Sequence, residues 1–246
     1  MFFGAPIYDS DFARSSAPPS PPPFPPAMPS LQLVIDSLPV LLQGMVLTIK
    51  FALWSMAFGL VIGLVVALMG IGHNRVLRAI ARVYVSVMRG TPLLVQIFVV
   101  YYGLPGIGIT MEPTPAGVLT LSLNVGAYLS ESMRGAILGI SRGQWLAAYS
   151  LGLTPAQTLR YVVGPQALRI AVPSLSNSLI SLIKDTSLVS VITVTELLRT
   201  TQELIAATYQ PLPLYLAAAA IYWVLSTLLS FVQRLLERRL SLPGRH

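Results

Sequence analysis

The sequence predicts an all-α, polytopic membrane protein with about five transmembrane helices. Its composition is the first reason: of 246 residues 54% are hydrophobic and only 10% charged, and mean hydropathy is +0.71. An ordinary soluble domain carries about 25% charged residues, so most of this surface must meet a solvent other than water. The second reason is a set of uncharged runs near the ~20 residues that cross hydrocarbon. Both observations exclude a soluble or disordered chain, and the absence of cysteine excludes a disulfide framework.

Nine of the twenty prolines fall in the first thirty residues, in SSAPPSPPPFPPAMPS and at Pro6 before it. That segment, 1–30, reads as a disordered, extracytoplasmic tail of extended, polyproline-like character, with a Pro-rich ligand as the alternative. Asp9 and Asp11, and the lack of a basic start or a long apolar run before Pro29, argue against a secretory signal. The first span is predicted at 51–71 and the second at 90–111, both without charge. Between them, 72–83 reads as a basic loop. A third span covers 113–130 and the turn through Met133. Residues 143–159 are also uncharged, but Gly143, Gln144, Gly152, Thr154, Pro155 and Gln157 divide them into short surface helices. The fourth span is predicted at 170–195, interrupted by Lys184 and Asp185, and the fifth at 204–233. Gly59, Gly63, Gly70 and Ala217–Ala220 are positions where helices are expected to pack closely. The transmembrane domain as a whole is assigned to 31–240, with a short tail at 241–246.

The cations set an orientation, because Lys and Arg near span ends stay on the cytoplasmic side. Arg75, Arg78 and Arg82, then Arg134, Arg142, Arg160 and Arg169, then Arg234, Arg238, Arg239 and Arg245 place eleven of the sixteen on one side. Arg14 and Arg199 fall on the other, and Lys50, Arg89 and Lys184 lie in or beside spans. The N-terminus is expected outside and the C-terminus in the cytoplasm. This asymmetry beside an anionic leaflet accounts for the net charge of +7 without nucleic acid.

No catalytic constellation is legible. The only lysines, Lys50 and Lys184, follow isoleucines and cannot end a GxxxxGK[ST] phosphate loop. His73 and His246 are the only histidines, so neither a metal site nor a Ser/His pair with an orienting acid is expected. Passage of a solute across the bilayer is the leading function.

The informative segment is GQWLAAYSLGLTPAQTLRYVVGPQALRIAVP, from Gly143. Gly152 follows an Ala-rich run where a left-handed cap is expected, and Thr154-Pro155 supplies an N-cap followed by proline at the first helical position. The second helix is expected to reach about Val163, where Gly164-Pro165 ends it, and Pro173 is expected to break the chain again. Ala147, Ala148 and Gly152 present little bulk, which suits docking of another groove.

These residues resemble the EAA loop of bacterial ABC importer permeases, E-A-A-x3-G-x9-I-x-L-P, with Ala147, Ala148, Gly152, Val162 and Pro165 in its places. Arg89-Gly90-Thr91-Pro92-Leu93-Leu94-Val95-Gln96 resembles the RGTPLLVQ signature of the polar amino-acid subfamily. Gly44, Thr48, Tyr102, Gly103 and the run Asn177–Ile192 fit the same subfamily, so the resemblance covers about residues 38–240. Two positions depart from it: Leu146 stands at the motif's glutamate and Gly164 at its leucine.

The resemblance implies a permease subunit of the bacterial inner membrane that is not itself an enzyme and binds no cofactor. ATP would be used by a separate ABC ATPase dimer whose groove receives the loop. A second permease subunit, identical or similar, and an extracytoplasmic solute-binding protein complete the expected assembly. Leu146 removes an anionic contact from the docking loop, worth about 0.2–1 kcal/mol if exposed. Ionisable residues inside spans are costly and mark cavities, so Arg89, Glu131, Lys184 and Asp185 are candidates for the translocation path. Positions 184 and 185 do not share a helix face, and interhelical structure is their alternative role. Arg89 has an alternative as an interfacial anchor before the proline kink. A permease for methionine or a compatible solute, or a self-sufficient secondary carrier, are the competing functions.

Overall fold

The computed structural model describes residues 30–240. The Pro-rich tail and the tail after residue 240 therefore lie outside the described residues, except that Ser30 opens the first helix. The described residues are helical with short connections and contain no strand.

Helix α1, Ser30–Ile71, is 42 residues long, twice the predicted span. The uncharged run starts at Phe51, but a helix tolerates an isolated Asp36, Pro39 and Lys50, so the apolar window marks only its second half. After a three-residue turn comes α2, Arg75–Gly90, capped by Asn74, whose side chain accepts from Val76 N at 2.9 Å and Leu77 N at 3.3 Å. This corrects the basic loop expected at 72–83: Arg75, Arg78 and Arg82 sit on a helix, at the i, i+3, i+7 spacing of one face.

The span expected at 90–111 is also corrected. The chain breaks at Thr91-Pro92 and resumes as α3, Leu93–Phe98, which runs through a π-turn at Val99–Gly103 into a 3₁₀ turn at Leu104–Ile107. The axes before and after the break differ by 107°. Pro92 forces Thr91 out of the α region, to φ −118° and ψ 146°, which is why the helix stops there.

Helix α4, Pro113–Leu138, forms the centre of the molecule. It packs most extensively on α1, and the reason is the absence of side chains. A Cβ on Gly59 would stand 2.5 Å from Val125 Cγ1, and one on Gly63 would stand 2.9 Å from Leu129 Cβ and 3.1 Å from the Gly126 carbonyl oxygen. Between membrane helices, where apolar side chains gain nothing by leaving lipid, such backbone approach supplies the packing energy. The surrounding core gathers Ile97, Leu121, Leu129, Val163, Val189 and Ile192.

Two short helices follow: α5, Arg142–Ser150, and α6, Pro155–Thr158. A π-turn at Leu159–Val163 leads directly into α7, Gly164–Asp185, which ends in a 3₁₀ turn at Thr186–Ile192. The expected stops at Gly164-Pro165 and Pro173 do not occur. Pro165 falls at the start of α7, where its missing N–H costs nothing, and the wide turn before it absorbs the crowding. Pro173 lies inside α7 without ending it.

The last two helices are α8, Leu197–Thr208, and α9, Pro211–Leu240, so the span expected from 204 begins at 211 after a turn at Tyr209. Only 6% of the apolar window of α9 is buried within the chain, as expected of a helix that faces lipid or a partner. In the alanine run only Ala218 is buried, against Leu41 and Leu197, while Ala219 and Ala220 are exposed. By length and composition α1 and Pro211–Arg239 can each cross a membrane alone. Two bent pairs, Arg75–Gly90 with Leu93–Ile107 and Pro155–Ile192 with Leu197–Thr208, raise that number to four.

Candidate functional site

The α5–α6 pair is built by its end residues. Helix α5 stops in a left-handed glycine: Gly152 has φ +79°, its N–H donates to the Tyr149 carbonyl at 2.9 Å, and Leu153 N–H donates to the Ala148 carbonyl at 3.2 Å. This is the paired closure that a left-handed residue just past a helix allows. Thr154 then opens α6 with a reciprocal cap, its hydroxyl accepting from Gln157 N while the Gln157 side chain accepts from Thr154 N at 2.9 Å. The result is a rigid, tight tip. A Cβ at Gly152 would meet nothing within 4 Å, so the position is open for approach from outside.

Of the docking residues expected from the sequence, Leu146, Ala147, Gly152 and Pro165 are exposed, and Ala148 is buried against the rest of the chain. Leu146 is 65% exposed and Leu151 81%, so the tip presents apolar rather than acidic side chains.

From this tip, α6, the π-turn and α7 lead without a stop to a polar cleft of about 570 Å³. Helix α7 lines it with Ser174, Asn177, Ser178, Ser181 and Asp185, spaced three and four apart on one helical face. Asn124 and Tyr128 of α4, and Thr91 and Pro92 of the bend, close the opposite side. The Ser132 and Ser174 hydroxyls, 2.7 Å apart, tie α4 to α7 beside it. Ser174 and Ser178 find partners within the protein, in Ser132 and the Ser174 carbonyl, whereas a carboxyl such as that of Asp185 within apolar helices characteristically faces a cavity.

The bend itself is held by a small polar network. Gln96, 9% exposed, donates from Nε2 to the Met88 carbonyl at 2.9 Å and to Thr91 Oγ1 at 2.8 Å. Asn124 Nδ2 reaches the same Met88 carbonyl at 3.1 Å and Gln96 Oε1 at 3.0 Å. Breaking the helix at Pro92 frees carbonyls that lipid cannot satisfy, and these amides satisfy them.

The four candidates for the path do not form one site. Asp185 lines the cleft, and Arg89 stacks its guanidinium 5.2 Å from the Tyr128 ring centroid at the cleft's edge. Glu131 pairs with Arg134 on its own helix, at 2.9 and 2.8 Å, and lies in a different cleft. Lys184 is exposed and lines neither.

Sequence reasoning missed Glu196. It is completely buried, caps α8 by accepting from Arg199 N at 2.7 Å, and accepts from the Tyr222 hydroxyl at 2.7 Å and Thr48 Oγ1 at 3.4 Å. Thr48 in turn accepts from Leu197 N at 3.0 Å, so one carboxyl group joins α1, α8 and α9. The available signal was a glutamate that closes the uncharged run 186–195, immediately before a helix.

Residues 59–242 match the family described as binding-protein-dependent transport system inner membrane component. The chain belongs to that family. It is 48% identical over 204 residues to the L-cystine transport system permease protein TcyB of Bacillus subtilis, covering 82% of this chain and 87% of that one. With the glutamine transport system permease protein GlnP of Escherichia coli K12 it shares 39% identity over 208 residues, 84% of this chain and 95% of the other. Its structure resembles a solved amino acid ABC transporter, described as having histidines, with a TM-score of 0.81 and 35% identity over 87% of this chain and 99% of that chain. A MetNI methionine ABC transporter structure shares the fold at a TM-score of 0.71 and 20% identity. Membership bears out the permease fold read from the EAA-like and RGTPLLVQ-like segments, and places the chain among subunits that conduct a solute rather than transform one.

Proposed function

We propose that this chain is the membrane-spanning subunit of an ATP-driven importer of polar amino acids, working by alternating access. The observation that carries the proposal is the continuity of the capped tip at Gly152 with the polar face of α7. A push on the tip is delivered to the residues that line the cleft. Relatives named for cystine and glutamine transport support a polar amino acid as the solute.

In this reading two permease subunits, identical or similar, face each other across the cleft. An extracytoplasmic binding protein delivers the solute, and an ABC ATPase dimer grips the α5–α6 tips. ATP is bound and hydrolysed on that partner; nucleotide biases the permease only through a difference in how the dimer engages its two states. The five crossings are α1, the α2–α3 pair, α4, α7 with its continuation into α8, and α9. The N-terminus lies outside and the C-terminus in the cytoplasm, with 1–30 and 241–246 as tails of the domain 31–240. Asp185 and Arg89 belong to the path, whereas Glu131 and Lys184 lie away from the cleft.

Uptake of radiolabelled amino acids into proteoliposomes tests this, using the chain with its ATPase, with and without ATP and binding protein. Uptake dependent on both is expected, and identifies the solute. Uptake by the chain alone, driven by an ion gradient, overturns the proposal in favour of a secondary carrier.

A further inference from the structure

A second cleft, of about 390 Å³, opens between α1, α2 and α4 beside the sharp reversal from Ile71 to Arg75. Gly70 leaves room at its mouth, and Arg78, Arg82, Glu131 and Arg134 line it. Its charges do not cancel. Glu131 is engaged by both Nε and Nη2 of Arg134, which neutralises that pair. Arg78 spends one donor on the Gly72 carbonyl, at 2.7 Å, and Arg82 has no hydrogen bond or ion pair among the described residues. Two guanidinium groups with spare donors thus face a cleft between α1, α2 and α4.

Depth makes the arrangement informative. Arg82 is seven residues into α2, about 10 Å along the axis from Arg75. Within the crossing proposed for α2 and α3, that displacement carries Arg82 toward hydrocarbon, where an arginine is expensive unless an anion meets it. The wall of the cleft beside these arginines is apolar, formed by Val66 of α1 and by Ala81 and Val85 of α2. A basic cleft with an apolar wall matches a molecule that is anionic at one end and aliphatic along the other.

We propose that this cleft binds an anionic phospholipid, its phosphodiester between Arg78 and Arg82 and its acyl chain along Val66, Ala81 and Val85. A bidentate fork is the natural partner of phosphate oxygens. The cleft lies at the end of α4 that leads into α5, the same end as the projecting tip. Assigning that end to the cytoplasmic leaflet rests on the orientation proposed above; the anion chemistry does not.

The test is lipid retention by the purified full-length chain, read by native mass spectrometry from detergent carrying phosphatidylglycerol and phosphatidylcholine of matched chains. Each arginine near a headgroup is worth about five-fold, so the wild type is expected to prefer phosphatidylglycerol by about thirty-fold. Arg78→Gln with Arg82→Gln should reduce the preference to within about two-fold. Arg169→Gln, which removes a charge elsewhere, should leave it unchanged, and this control separates the site from net charge. An equal affinity of the wild type for both lipids overturns the proposal, as does an unchanged preference in the double variant. Displacement of phosphatidylglycerol by millimolar inorganic phosphate would reassign the cleft to a soluble anion and overturn the lipid. Because retention is read without ATPase, binding protein or transport, its failure leaves the importer proposal untouched.

Discussion

Replacing Glu196 by alanine should destabilise the chain by about 3–5 kcal/mol. The magnitude follows from its partners. Loss of the cap on α8 costs about 1 kcal/mol. The Tyr222 and Thr48 hydroxyls are then left in a dry interior without their acceptor, at about 1–3 kcal/mol each when nothing replaces it. Thr48 recovers part of this because its oxygen still accepts from Leu197 N. Tyr222→Phe removes a single donor and leaves the carboxyl group its remaining donors, so about 1–2 kcal/mol is expected. The two changes share one hydrogen bond of 2.7 Å, so the double variant should lose less than their sum by about 1 kcal/mol. Unfolding of the purified chain in mixed micelles, followed through tryptophan fluorescence, gives all four corners of the cycle, and Trp223 beside Tyr222 reports locally. If Glu196→Ala unfolds within about 1 kcal/mol of wild type, or the two effects simply add, the network does not join α1, α8 and α9, and the reasoning fails.

Three further outcomes are expected. Gly152→Asp should abolish uptake while membrane insertion and folding persist, since the backbone penalty at φ +79° is only about 1–2 kcal/mol and nothing crowds the site; wild-type uptake would remove Gly152 from the docking surface. Asp185→Asn should alter KM or maximal rate of uptake without changing protein abundance, and unaltered kinetics would return the residue to a structural role. Gly63→Val, which pushes a branched side chain into the Gly126 backbone and Leu129, should lower stability by several kcal/mol, checked by the same unfolding assay; a loss under about 1 kcal/mol would show that α1 and α4 can separate freely.

The helices that sequence reasoning located best are those announced by their ends. Gly152 and Thr154-Pro155 are local signals whose physics acts within four residues, and the structure places both caps as the residues require. Boundaries drawn from charge fared worse. Arg75, Arg78 and Arg82 look like a loop when counted as cations, yet their spacing of three and four, behind Asn74, is a helical signature. Lys50 and Asp36 cut the apolar run of α1 without cutting the helix, because a helix needs satisfied backbone groups and not uniform hydropathy. Proline misled in the opposite direction at 165 and 173. The break at Pro92 held because Gln96, one turn on, and Asn124, 36 positions from Met88, were available to satisfy what it exposed. The cleft was half legible. Asp185 stood out as a charge, whereas Ser174, Asn177, Ser178 and Ser181 are individually ordinary, and only their shared face makes a polar wall. Glu196 depended on Tyr222 and Thr48, residues 26 and 148 positions away, and no local pattern contains that.

The uninterrupted course from Pro155 to Ile192 gives the molecule leverage. From Thr158 to Asp185 is about 40 Å of helix, so a tilt of about 5° at one end sweeps the other through about 3.5 Å. That is the width of a single atomic layer, enough to separate facing hydroxyl rows or bring them into contact. A hinge at Pro165 or Pro173 would have dissipated such an angular displacement where it began. With the stiff pair of α1 and α4 as a fulcrum, a small motion at the tip becomes a gate-sized one at the wall, with no need for the helices between to unfold.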